Sequence, residues 1–134
     1  MTHAWNAVFA CLDAKLITLT GITNALIAWP GITFTPPASG LWYKVDCIPA
    51  TTDYAMGVNG STHERGGYQV TVYAKPGAGT GALMAAADAL VSLFDRAVLT
   101  GTTVTVHCGV PVPGPVLQEP DWLGVPVSIP FLAL

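Results

Sequence analysis

Residues 68–75 read Tyr-Gln-Val-Thr-Val-Tyr-Ala-Lys, an alternation that sets Tyr68, Val70, Val72 and Ala74 against Gln69, Thr71, Tyr73 and Lys75. A period of two is the signature of a strand with one buried face. Residues 41–49 repeat the pattern, with Leu41, Tyr43, Val45 and Cys47 on one side and Trp42, Lys44 and Asp46 on the other. The two runs predict the arms of a long hairpin. The polar, glycine-bearing stretch 51–67 between them is too long for a tight turn and is expected as a projecting loop.

Working outward, residues 2–16 place Trp5, Val8, Phe9, Leu12 and Leu16 at helical spacing. Residues 80–96 do the same with Leu83, Ala87, Leu90 and Phe94, and the alanines between them favour close packing. Residues 18–28 are apolar and Thr-rich, ambiguous between the end of the first helix and a short strand. Residues 102–108 predict a strand burying Val104, Val106 and Cys108, and residues 125–132 a last strand burying Val127, Ile129 and Phe131. Pro126 and Pro130 lack the N–H that a central ladder needs, so the last strand is expected at a sheet edge. The proline-rich stretch 109–124 is a second candidate projection. This order predicts one α+β domain over residues 1–134, with a mostly antiparallel or mixed sheet of four to five strands and two helices packed on one face. The other face is then expected to be bare, with Trp42, Thr71, Tyr73 and Thr105 on it.

Composition sharpens that expectation. Of 134 residues, 51% are hydrophobic and only 10% charged, where soluble domains average about 25% charged. Large uncharged areas on a folded protein mark contact sites, so part of the surface is expected to be covered by a partner. A net charge of −3 with five scattered Lys and Arg argues against binding nucleic acid through its phosphates. The uncharged stretches 16–43 and 97–118 are broken by prolines and offer no helix-compatible membrane span. The N-terminus has no signal-like pattern.

The most enzyme-like phrase is Lys75-Pro-Gly-Ala-Gly-Thr-Gly81, between a strand and a helix. A phosphate-binding loop needs Lys-Ser/Thr after its last glycine, and here Ala82 and Leu83 follow; the dinucleotide fingerprint needs a different glycine spacing from that of Gly77, Gly79 and Gly81. A strand-to-helix connection with Thr80 near the N-cap is the plainer reading. His3, His63 and His107 sit in unrelated segments without metal-ligand spacing. Cys11, Cys47 and Cys108 are odd in number and read as reduced, buried thiols, and Cys108 points away from its neighbour His107 on a strand. Glu119 and Asp121 flank Pro120 and suit a turn better than acid/base work. No catalytic residue, metal or cofactor is expected. His63, beside Glu64 and Arg65, reads either as part of a solvated turn or as a partner contact. Trp42 and Trp122 fall outside the helical apolar faces that hold Trp5, Phe9 and Phe94. Trp42, Tyr73, His63, Arg65 and Trp122 are the residues expected at an interface.

The order of elements and several phrases resemble the tail terminator proteins of long-tailed bacteriophages, the group that includes the minor tail protein U of phage lambda. The phrases are the amphipathic N-terminal helix, Ala28-Trp-Pro-Gly31 leading to Phe34-Thr-Pro36, the strand from Leu41, Arg65-Gly-Gly-Tyr-Gln-Val-Thr-Val72, Ala85-Ala-Ala-Asp88 to Phe94, and Trp122 through Pro126-Val-Ser-Ile-Pro-Phe131. Gly31 stands where an Asn is common in such sequences. The resemblance implies a structural virion protein at the head-tail junction, without enzymatic activity. It implies a homohexameric ring that binds the last ring of tail-tube protein, stops its polymerisation and offers a surface to the head-tail connector or head completion protein. Genomic DNA would pass through the lumen of a mildly acidic ring without specific binding. Loop 51–67 is the candidate tube-facing element. The alternatives are another tail-tube or head-tail connector subunit and, more distantly, a nucleotide-binding enzyme using Gly77 to Gly81.

Overall fold

The computed structural model describes residues 5–19, 22–38, 40–54, 62–77, 79–101 and 104–133. The chain runs α1 (Trp5–Leu16), a 3-10 turn at Asn24–Leu26, β1 (Ile27–Ala28), β2 (Trp42–Tyr54), β3 (Thr62–Ala74), α2 (Gly81–Phe94), β4 (Val98–Thr100), β5 (Thr105–Cys108), β6 (Val112–Pro113), β7 (Leu117–Gln118) and β8 (Leu123–Ala133). The strands form one mixed sheet in the order β1-β2-β3-β8-β5-β4, with β6 and β7 also paired to β8. All pairs are antiparallel except β1 with β2. The α+β architecture agrees with the sequence reading. The eight strands exceed the four to five expected because the segments that make β1, β4, β6 and β7 are two or three residues long, too short to show a period.

Both helices lie on one face. Val8, Leu12 and Leu16 of α1 and Leu83, Ala87, Leu90 and Phe94 of α2 are buried against Tyr68, Val70 and Val72 of β3 and Val125, Val127 and Ile129 of β8. Here the alternation of residues 68–75 meets the two helical stripes, and burying those aliphatic side chains supplies the main stabilisation, about 1.5–3 kcal/mol for each. Tyr68 is fully buried, and its hydroxyl donates to Asp13 Oδ1 on α1 at 2.5 Å, fastening helix to sheet. At one end of the core, Trp5 and Phe9 stack on each other and meet the Phe131 ring edge-on.

Three local expectations are corrected. First, stretch 51–67 is largely strand. β2 and β3 stay paired to Asp53↔His63 and Tyr54↔Thr62, with a bulge between Pro49 and Thr51. Cross-strand pairing continues through polar residues because backbone groups, not side chains, make the ladder. Since β8 ends opposite Glu64 at Ala133, these last two pairs extend beyond it as a projecting ribbon. Glu64 is buried rather than part of a solvated turn.

Second, β8 is central. It pairs β3 along its whole length and β7, β6 and β5 in turn on its other side. Pro130 falls between the β5 and β6 pairings and Pro126 between those of β6 and β7, so each missing N–H coincides with a break in the second ladder. The proline carbonyl oxygens still accept, from Gly109 N–H at 2.8 Å and Gly114 N–H at 2.7 Å. Third, the proline-rich stretch 109–124 therefore lies along β8 instead of projecting.

Candidate functional site

On the sheet face away from the helices, the cross-strand register builds parallel rows. One row is Trp42–Tyr73–Gly124–Leu117, and at the other end of the sheet lies Arg65–Leu132–His107–Val98. Alternation had placed Trp42, Thr71 and Tyr73 on this face correctly, but they are not bare. Trp42 and Tyr73 are 8% exposed, Thr71 is 3% exposed and Thr105 is half-buried.

Two segments outside the long strands cover that end. Phe34, from the segment after β1, packs its ring 5.1 Å from Trp42, and Trp122, just before β8, meets Trp42 edge-on at 5.4 Å. Beneath, Trp42 and Tyr73 stack at 4.3 Å. Tyr73 lies flat against β8 because residue 124 is a glycine: a Cβ there would come within 2.9 Å of the tyrosine ring. Lys75 Nζ sits 4.3 Å over the Trp122 ring, so the cation caps the aromatic stack from outside. A shallow cleft of about 410 Å³ opens beside it, lined by Phe34, Pro36, Trp42, Lys44, Glu119 and Trp122. Burial raises the Tyr73 phenol above its ordinary pKa, and the Glu119 and Asp46 carboxylates add to the shift; the ring acts as a neutral platform.

Three of the five expected interface residues, Trp42, Tyr73 and Trp122, thus converge on one aromatic platform, with only Trp122 partly accessible. Arg65 is exposed at the opposite end of the sheet, some eight residues along β8 and so about 26 Å away. It borders a cleft of about 610 Å³ with His107, Pro130 and Leu132. The backbone of His63 pairs with Asp53 on the projecting ribbon, and its side chain lies outside the described residues, as do residues 55–61 of the connection. Sequence reasoning missed Phe34, Lys75 and Gly124. The one available signal was Phe34 lying just ahead of Pro36 and Pro37, a segment too stiff to be an idle linker.

The remaining chemistry is quiet. Gly77 and Gly79 have φ of +102° and +78°, values that suit glycine and give the β3-to-α2 connection its shape. Thr80 stands at the N-cap of α2 without a side-chain capping bond. All three cysteines are free, Cys108 buried and the others half-buried. Desolvation pushes Cys47 and Cys108 up to about 11, and Asp13 and Asp46 add to the shift at Cys47; both are thiols, not nucleophilic thiolates, at neutral pH. Among the described residues no group of three or more His, Cys, Asp or Glu is arranged to hold a metal ion, and no helix is long and apolar enough to cross a membrane.

Comparison with known proteins gives one family. A family model described as phage tail terminator protein matches residues 7–131. Among solved structures, one that carries no functional name superposes with a TM-score of 0.79 at 22% identity, covering 99% of this chain and 97% of that one. That likeness establishes the fold. No curated protein matches the chain.

Proposed function

The chain belongs to the phage tail terminator family, and from that premise we propose that it is the subunit of a homohexameric ring that caps the tail tube, halts its polymerisation and presents the surface that joins tail to head. Membership makes it a structural component of the phage tail. The ring, the arrest of growth and the position at the head-tail junction are the finer reading, carried by the family match across residues 7–131. No catalytic step or cofactor belongs to this role.

Surface chemistry supports the reading. With 13 charged side chains on 7351 Å² of surface, the subunit carries about one per 570 Å², sparse for a surface that faces only water. A ring subunit loses area to two neighbours and to the parts above and below it. The ribbon formed by the ends of β2 and β3 is the element we assign to the tube, because it continues past the last β3–β8 pair and bears His63, with Arg65 at its base opposite Leu132 of β8. The aromatic platform with Trp122 at its rim is the second contact region. DNA in transit would meet a subunit of net charge −3 with five scattered Lys and Arg, a poor match to a phosphate backbone.

The test is to mix the protein with the tube protein of the same phage and image the products by negative stain. Tubes ending in a distinct ring, with elongation arrested, are expected. Continued elongation in the presence of excess protein, or tubes built of this protein itself, would instead indicate a tube subunit.

A further inference from the structure

The aromatic platform contains a donor without an acceptor. Among the described residues, the indole Nε1–H of Trp42 is sealed from solvent and has no hydrogen-bond partner. Buried N–H groups are paired in nearly all native structures, because one left unpaired has given up water and gained nothing. Trp42 also lines the cleft beside the platform, so an occupant of that cleft can supply what the chain does not. The walls differ in how firmly they are held. Tyr73 is fixed in the β2–β3 ladder opposite Trp42, and the turn before Trp122 is closed by Glu119 N–H on the Trp122 carbonyl at 2.8 Å. Residues 33–38, which carry Phe34 onto the Trp42 ring, belong to no strand, and among the described residues no backbone hydrogen bond engages them. This strap is held over the indole by its rings alone.

We propose that the platform receives an extended, proline-bearing segment of a partner protein, which displaces the Phe34 strap and gives a backbone carbonyl to the Trp42 indole N–H. The strap itself, Phe34-Thr35-Pro36-Pro37, shows what the platform accepts: aromatic and proline rings on an extended backbone. Charge selects against strongly acidic or basic segments. Lys44 and Lys75 at the platform are balanced by Glu119 and Asp46, both close enough to act on the Tyr73 phenol. Proline has no N–H, so such a segment brings carbonyl acceptors and strands few donors of its own against the rings. Its backbone is also extended before it binds, which keeps the ordering cost low. This assignment rests on the platform being a contact region, as proposed above, and not on the ring.

The probe is a capped peptide of two Phe-Thr-Pro-Pro blocks, beside a capped Gly-Ser peptide of equal length. Each is titrated into the full-length, nitrogen-15-labelled protein while the indole N–H signals are followed, that of Trp42 being identified by its loss in Trp42→Phe. The proline peptide should move the Trp42 signal downfield and saturate, and the Gly-Ser peptide should leave it in place. Trp42→Phe keeps a ring on Tyr73 and removes only the unpaired N–H, so the peptide should bind it about 2- to 10-fold more weakly. Phe34→Ala removes the competing ring and should bind more tightly than wild type. Thermal melts check that both variants fold, and Phe34→Ala alone decides the matter if Trp42→Phe does not. An unmoved Trp42 signal, equal binding of the Gly-Ser peptide, undiminished affinity in Trp42→Phe or weaker binding by Phe34→Ala would each overturn the proposal. If the peptide fails while Trp122→Ala still loses tail or head components, the platform remains a contact region for another kind of partner. If that variant retains them as well, the contact reading falls too.

Discussion

Gly114 donates its backbone N–H to the carbonyl oxygen of Pro126 at 2.7 Å, and a Cβ on residue 114 would sit 2.8 Å from Pro126 Cγ. Gly109 stands in the same relation to Pro130, with 2.8 Å for the hydrogen bond and 3.0 Å for the Cβ contact. Each proline of the central strand is thus matched by a glycine on the segment beside it. The glycine supplies the hydrogen bond that the strand can accept and leaves room for the ring.

Gly114→Ala should therefore destabilise the protein by about 1–3 kcal/mol through overpacking, lowering the thermal midpoint by several degrees. Adding Pro126→Ala removes the atom that clashes, so the double variant should lose less than the sum of the two single losses. A double-mutant cycle from thermal melts measures this, and strict additivity would show that the glycine serves something other than the proline ring.

Asp13 and Tyr68 set a pH dependence. Burial raises the Asp13 pKa, and the hydrogen bond from Tyr68 offsets only part of that. A carboxyl whose folded pKa lies above its unfolded value stabilises the fold while protonated and loses that contribution as pH rises through the folded value. Asp13→Asn keeps an acceptor for the tyrosine and cannot ionise. The melting temperature of wild type relative to this variant should accordingly fall as pH is raised from about 3 to 7. A difference that is flat, or that rises with pH, would contradict the assignment.

The aromatic platform separates folding from contact. Trp42 is buried in its own chain, so Trp42→Ala should cost about 3–5 kcal/mol and lower the melting temperature before any partner is added. Trp122 is partly exposed and capped by Lys75, and Trp122→Ala should cost nearer the 0.5–1.5 kcal/mol of an aromatic pair. If Trp122 serves a partner, that variant should lose binding to tube or head components out of proportion to its small change in stability. Melting curves beside a pull-down of those components compare the two.

Thiol chemistry offers a further check. With Cys47 and Cys108 held near pKa 11 against an ordinary 9, the thiolate fraction at pH 8 is about 100-fold below that of an unperturbed cysteine. Alkylation of the native protein at these two positions, followed by mass spectrometry, should be markedly slower than in the unfolded chain, although the higher intrinsic nucleophilicity of a high-pKa thiolate offsets part of that factor. Rapid labelling at neutral pH would mean the thiols are less desolvated than their burial implies.

The sequence by itself determined the fold class, both helices, the long hairpin and the inward faces of the long strands, because period-two and period-3.6 patterns are local consequences of which side chains must leave water. It also named the family through the order of its phrases. Tertiary structure alone decided that β8 is central, since proline's veto on a ladder holds only where the neighbouring strand is continuous, and that neighbour here is broken into three pieces. It also decided that Trp42 and Tyr73 are covered. Alternation tells which face a residue takes, but whether Phe34 and Trp122 fold over that face depends on segments with no period of their own. The exposure of Val112 and Ile48 emerged the same way, because neighbours in space, not in sequence, decide which apolar side chains stay in water.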